Sequence, residues 1–420
     1  MADGRVLKML LAAAPALALC GCLSAGRRAG GPPAPREFSG LYSELDSRLA
    51  AAERTAASLP GPEGPCPVSA PALFIASSYF ASSAPGTKGW ENILAMMSAF
   101  RRLGAGAVSV MISFPDLTPQ ARDPEPVLRF YEAVSAEAHK RGLKLLVEHF
   151  VYPPSAPTPS GRLAASLKTL PDPRAAYLAM KRREAELIIS RVKPDYFSVI
   201  TEPSTYERFL GFAVTPEDYA AWLSGLLASP AAAARGAMKI GAGAGVWEDR
   251  RYAAAFARVK GLDYIDLHFY PLRLGSEDYV SGLLDIISGV RAADPRKGIV
   301  ISETWLYKHG AGEPGGVFSA KAYGRNGYAF WAPLDERFLA LMERLGRKEG
   351  IELIAPYFPQ FFFYSVPYEE GKAPQWPASM GAEWEQAAAR AGSTTALGGF
   401  FAGLNAGCRA GAPAAEKRAP

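Results

Sequence analysis

The sequence predicts a (β/α)8 barrel, and three observations carry that prediction. From residue 72 onward, short apolar runs alternate with helical patterns at spacings of roughly 30 to 40 residues. Two of the runs, Tyr-Phe-Ser-Val-Ile-Thr-Glu-Pro at 196–203 and Ile-Val-Ile-Ser-Glu-Thr-Trp at 299–305, stay apolar and then stop on a carboxylate. Such runs suit parallel strands covered on both faces, where neither side meets water. Eight strand–helix pairs spread over roughly 330 residues fit a barrel with enlarged βα loops. A doubly wound sheet would use fewer strands and a phosphate loop. The Gly-Ala-Gly-Ala-Gly run at 241–245 lacks the helix and acidic partner of such a loop, and reads instead as small residues where strands crowd.

Before the barrel, the chain opens with a targeting pattern. Arg5 and Lys8 precede an apolar run at 9–19, too short to span a bilayer as a helix. Leu19-Cys20-Gly21-Cys22 resembles a bacterial lipobox, which implies cleavage before Cys22, acylation there and an envelope location. An ordinary secretory signal is the alternative, and either exports the chain. The expected divisions are a signal peptide at 1–21, a lipid-anchored flexible tether at 22–36, an N-terminal helical extension at 37–66, the barrel at 67–409 and a disordered tail at 410–420. In the extension, Leu41, Leu45 and Leu49 recur at helical spacing, which predicts an amphipathic helix over 37–59 that carries no chemistry.

Within the barrel the expected strands are 72–80, 107–114, 143–151, 196–202, 238–243, 265–270, 299–303 and 352–357. The helices between and after them are expected at 90–103, 126–141, 173–192, 215–228, 252–259, 277–293, 335–349 and 393–404. Gly142 supplies one helix stop, and Thr215-Pro216-Glu217 a helix start. Pro203 has no N–H to offer a ladder, so the fourth strand ends there with Glu202 at its C-terminal lip.

Composition narrows the partners. Apolar residues make up 49% of the chain, enough for a large core, and the formal charge of +5 is spread without a Lys/Arg block. Nucleic-acid binding therefore has little support. Membrane contact is expected through the lipid anchor only, and the oligomeric state is open. None of the four histidines pairs at ligand spacing, so no metal or other cofactor is expected. Cys66 lies just before the first strand and Cys408 just after the last helix, both on the bottom face of a closed barrel. Export permits a disulfide between them, and two free thiols are the alternative.

Barrels of this kind place their chemistry where strands end. The ends here are Phe114-Pro115-Asp116, Glu148-His149-Phe150, Thr201-Glu202-Pro203, Trp247, His268-Phe269-Tyr270, Ser302-Glu303-Thr304-Trp305 and Tyr357. Carboxylates that cleave glycosidic bonds and aromatic faces that stack on pyranose rings are the mixture sugars need. These ends resemble the clan of retaining β-glycosidase barrels that includes cellulases, β-mannanases and β-galactanases. The resemblance implies Glu202 as acid/base at the end of strand four and Glu303 as nucleophile at the end of strand seven. It also implies supporting roles for His149, Thr201, His268 and Tyr270, with Trp247, Trp305, Trp331 and Tyr357 as candidate sugar platforms. The reaction implied is double displacement on a β-linked oligo- or polysaccharide. Two departures stand out: Thr201 replaces the clan's Asn before the acid/base, and no Arg occurs in 108–114. They favour the alternative, a catalytically silent barrel that binds glycan or another envelope component.

Overall fold

Eight strands form one parallel sheet that curls on itself: β1 (Val68–Ser69), β2 (Ala107–Phe114), β3 (Lys144–Val151), β4 (Tyr196–Ser198), β5 (Lys239–Gly245), β6 (Tyr264–Phe269), β7 (Gly298–Thr304) and β8 (Leu353–Pro356). The structure, a computed structural model, describes residues 33–73, 84–151, 158–270, 279–310, 313, 324–371 and 380–411. The sheet order runs β1-β8-β7-β6-β5-β4-β3-β2. Ala72 bridges Ser109 in parallel, and Leu73 N donates to Ser109 O at 2.7 Å, which joins β1 to β2 and closes the ring. Closure leaves no row of unpaired strand groups. The expected (β/α)8 barrel is therefore the fold.

The first strand differs from expectation. It pairs with β8 through Val68–Leu353 and Ser69–Ile354, earlier than 72–80, and its bonds to β8 run on through Ala70 N and Ala72 N, on either side of Pro71. Most of 72–80, with the leader, most of the tether and nearly all of the tail, lies outside the described residues. The fourth strand is shorter than expected, ending at Ser198. Pro203 is not only a strand stop: it occupies the first turn of a helix, Pro203–Leu210, with Glu202 as the flanking residue. That helix and Pro159–Leu167 were not anticipated.

Inside the barrel, Ala70, Ala107, Leu146, Tyr196, Tyr264, Val300, Leu353 and Ala355 form a buried apolar layer. Above it the inward positions turn polar at Ser109, Glu148, Ser198, Asp266 and Ser302, all at most 2% exposed. The β5 glycines admit their neighbour: a Cβ on Gly243 would lie 1.5 Å from Asp266 O, and one on Gly241 would lie 2.1 Å from the Tyr264 ring. Because the first obstacle is backbone, Gly243→Ala must part β5 from β6. We expect a loss of about 3 kcal/mol in urea unfolding; a midpoint equal to wild type would contradict this account of the close approach.

The N-terminal helix, Ser39–Ser58, buries Leu45, Leu49, Ala52 and Ala56. It packs on the helix Ala332–Glu349, where Arg337 binds Glu53 at 2.8 Å and also Asp46. Cys66 and Cys408 are bonded, with Cα atoms 5.6 Å apart across a sequence separation of 342. No helix among the described residues is long and apolar enough to cross a membrane.

Candidate active site

The centre of the mouth is an imidazole held among three carboxylates. His268, fully buried on β6, has Nδ1 2.9 Å from Glu202 Oε1 and 3.4 Å from Glu303 Oε2. Its Nε2 lies 3.0 Å from Glu148 Oε2. Glu202 and Glu303 thus reach one nitrogen atom from β4 and β7, and their nearest oxygens are separated by no more than those two distances together. Both keep a small opening to solvent, 9% for Glu202 and 6% for Glu303, as groups at the rim of a mouth would.

Local backbone explains how each arrives. Successive strand residues face opposite sides, so Tyr264, Asp266 and His268 line the interior of β6. On β7 the register advances from Val300 opposite Asp266 to Glu303 opposite His268, one residue too many. This bulge re-aims the strand end and brings Glu303 inward just after Ser302, which itself bonds Asp266 through Oγ at 2.8 Å. Tyr270 then donates its hydroxyl to Glu303 Oε2 at 2.7 Å, fixing the rotamer of the carboxylate.

Electrostatics at the centre are set by burial and by these charges. Burial works against a charged His268, but Glu303, Glu148 and Glu202 outweigh it and hold the imidazole well above its usual range. Burial pushes Glu303 up to about 8, with His268 opposing and Glu148 and Glu202 adding to the rise. Asp266 is raised to about 6, first by burial, with His268 opposing. Atoms of Glu148, His268 and Glu303 lie within 4.8 Å of one another. Both ring nitrogens face carboxylate oxygens, Nε2 that of Glu148 and Nδ1 those of Glu202 and Glu303.

Several expected site residues lie elsewhere. His149 is fully buried but points to the helix layer, with Nε2 2.9 Å from Glu184 and its carbonyl accepting from Lys181 at 2.8 Å. Its neighbour Glu148 takes the inward position, a residue the sequence argument passed over. Thr201 is fully buried, with Oγ1 2.7 Å from the Tyr206 hydroxyl, so it faces no sugar. Trp305 is 1% exposed among Phe358, Phe361 and Phe362 and is not a platform. Trp331 is not one either: its ring stacks on Tyr42 of the N-terminal helix, 5.6 Å away, and its Nε1 donates to Arg325 O. Trp247 and Tyr357 remain half-buried, and both pack on Tyr270, with ring centroids 5.9 and 6.0 Å away.

Two further groups escaped sequence reasoning. Glu248 accepts from Ser204 N at 2.6 Å and Gly245 N at 2.8 Å, tying the helix that follows Glu202 to the end of β5. Burial raises it to about 7, against its bond from Ser204. Glu184, raised to about 8 by burial, gathers Leu117 N, Thr118 Oγ1 and His149 behind β3. Both follow local patterns that do not mark them as special.

The fold and the mouth together define a (β/α)8 barrel carrying a buried carboxylate–imidazole centre at the C-terminal ends of its strands. No family model matches the chain, and no curated relative does. Solved structures do. A glycoside hydrolase of family 5, subfamily 18, from Bifidobacterium longum subsp. longum matches with a TM-score of 0.54 at 16% identity, over 83% of this chain and 80% of its own. The same organism's enzyme as a variant in complex with Manβ1-4GlcNAc gives 0.53 at 15%, over 83% and 79%. An exo-β-1,4-mannosidase from Opitutaceae bacterium strain TAV5 gives 0.49 at 15%, over 81% of this chain; this chain spans 59% of that enzyme. At these identities the likeness is one of fold.

Proposed function

We propose that the protein is a retaining β-glycoside hydrolase, with Glu303 as nucleophile and Glu202 as acid/base. The observation that carries this is the convergence of Glu202 and Glu303 on one nitrogen of His268, at 2.9 and 3.4 Å, as two carboxyls facing one another across a retaining site would converge. Glu303, ionised, attacks the anomeric carbon while Glu202 protonates the leaving oxygen. Glu202 then deprotonates the water that releases the sugar. Tyr270 holds the attacking oxygen, and Trp247 and Tyr357 offer ring faces for the sugar. The fold shared with glycoside hydrolases supports the class, and the Manβ1-4GlcNAc complex of a structural neighbour makes β-mannosides the first substrates to try.

The test is a panel of aryl β-glycosides and β-linked polysaccharides, run with wild type and Glu303→Ala. Cleavage by the first and not the second supports the reading. Binding of glycans without turnover by either would favour the silent barrel.

A pH prediction follows from the position of Glu303. Protonated Glu303 cannot attack, so kcat/KM must fall as pH drops through its pKa. The acidic limb is expected well above the ordinary carboxylate range, toward about 8. A limb between pH 4 and 5, as for an exposed glutamate, would contradict that environment.

We also propose that Cys22 is acylated and anchors the barrel to the cell envelope through the tether. In a bacterial host, Cys22→Ser is expected to move the protein from the membrane to the soluble fraction. Equal membrane association of both forms would oppose the anchor.

A further inference from the structure

We propose that Glu148 is a positioning residue that holds His268 as an imidazolium between the two catalytic carboxylates, so that one fixed cation serves both Glu202 and Glu303. This rests on the glycosidase reading of Glu202 and Glu303, and it assigns a role to a carboxylate outside that pair.

The argument begins from hydrogen counting. A neutral imidazole has one N–H, yet here both ring nitrogens face carboxylate oxygens: Nδ1 faces Glu202 at 2.9 Å and Nε2 faces Glu148 at 3.0 Å. Ionised carboxylates accept only. An imidazolium donates to both, and when Glu202 carries its acid proton on Oε2, toward the sugar, Oε1 still accepts from Nδ1–H. Glu148 is itself oriented for this: Ser109 Oγ donates to Oε1 at 2.9 Å, which leaves Oε2 to the imidazole. Glu148 is 2% exposed and Ser109 is 2% exposed, so neither contact competes with water.

The charged groups around His268 come from every strand that packs on it. Glu148 comes from β3, Glu202 follows β4, Glu303 comes from β7 and Asp266 lies two residues back on β6. All are acids, and together they keep the ring charged despite its burial. Glu202 and Glu303 change protonation or form a bond during turnover, so neither is a constant counter-charge. Glu148 bonds the opposite ring nitrogen, Nε2, away from the Nδ1 that Glu202 and Glu303 share, and the proposed double displacement makes and breaks no bond at it. The imidazolium in turn opposes the rise that burial imposes on Glu303, favouring the ionised nucleophile.

The experiment uses nitrogen-15 NMR of the four histidines in the full-length protein without substrate, with His268 assigned by comparison with His268→Asn. In wild type, His268 is expected to remain an imidazolium with both nitrogens protonated at pH 7. In Glu148→Gln, which keeps size but removes charge, its titration is expected to move down by about one pH unit or more. Ser109→Ala, a gentler change, is expected to move it part of the way, and serves if Glu148→Gln does not fold. The alkaline limb of kcat/KM on a cleaved aryl glycoside is expected to move down with the His268 titration. A neutral His268 at pH 7 in wild type, or a titration unmoved in both variants, would overturn the proposal. The NMR arm needs no substrate, so a failure of the glycosidase reading appears separately, as absent turnover with the titration shift intact.

Discussion

Replacing Glu303 with alanine is expected to lower kcat/KM by ~10⁴-fold or more with little change in KM. The reason is positional. Glu303 is brought inward by a bulge that adds one residue to β7, and its Oε2 is held by the Tyr270 hydroxyl at 2.7 Å. No other carboxylate in the cluster can replace it: Glu148 is turned to the far nitrogen of His268, and Glu202 stands on the acid side. Loss of Glu202 is expected to have a different signature. Glu202→Ala should cost ~10²–10⁴-fold on sugars with poor leaving groups. It should cost little in the first step on 2,4-dinitrophenyl glycosides, whose leaving group departs without a proton, and added azide should restore release. Equal losses across both leaving groups would argue that Glu202 is not the acid.

Breaking the Cys66–Cys408 bond is expected to have the largest effect on stability. The bond closes a loop with a sequence separation of 342, joining the start of β1 to the last helix, Ala396–Gly411. On the chain-entropy model a loop of this length contributes about 5 kcal/mol by restricting the unfolded chain. Reduction, or the double change of Cys66 and Cys408 to Ala, should lower Tm by about 10 °C at roughly 2 °C per kcal/mol. A Tm unchanged within the scan error would mean that packing alone holds the seam. That packing is visible, since Asn405 Nδ2 donates to Leu103 O at 3.0 Å across the same joint.

How much of this was legible in the chain depends on which physical signal each element left. Strands buried on both faces are apolar throughout, so β2 appears in the sequence with its observed limits, Ala107–Phe114. That same uniformity hides which residues face inward. In the end of β3, Glu148 and His149 are both polar, and a resemblance favours the histidine; the pleat turns Glu148 into the mouth and His149 against Glu184. The β7 bulge has no compositional mark, yet it sets the aim of Glu303. Glu202 and Glu303 were legible because a carboxylate that ends an apolar run has little structural reason to be there. Trp305 and Trp331 misled because size does not tell a platform from a core residue: Trp331 packs against Phe38 and Tyr42 of the N-terminal segment. The β5 glycines were read correctly as a close approach, and Gly243 against the Asp266 carbonyl is its tightest point.

The most direct test of the double-displacement account is to trap its covalent intermediate. The protein would be incubated with 2,4-dinitrophenyl 2-deoxy-2-fluoro-β-glycosides of the sugar found active in the panel, then digested and mapped by mass spectrometry. The account predicts one equivalent of the fluorosugar, attached to the peptide that contains Glu303 and absent from Glu303→Ala. A protein that turns over the parent glycoside but shows no adduct, or carries it on Glu202 or Glu148, would contradict the assignment of the nucleophile.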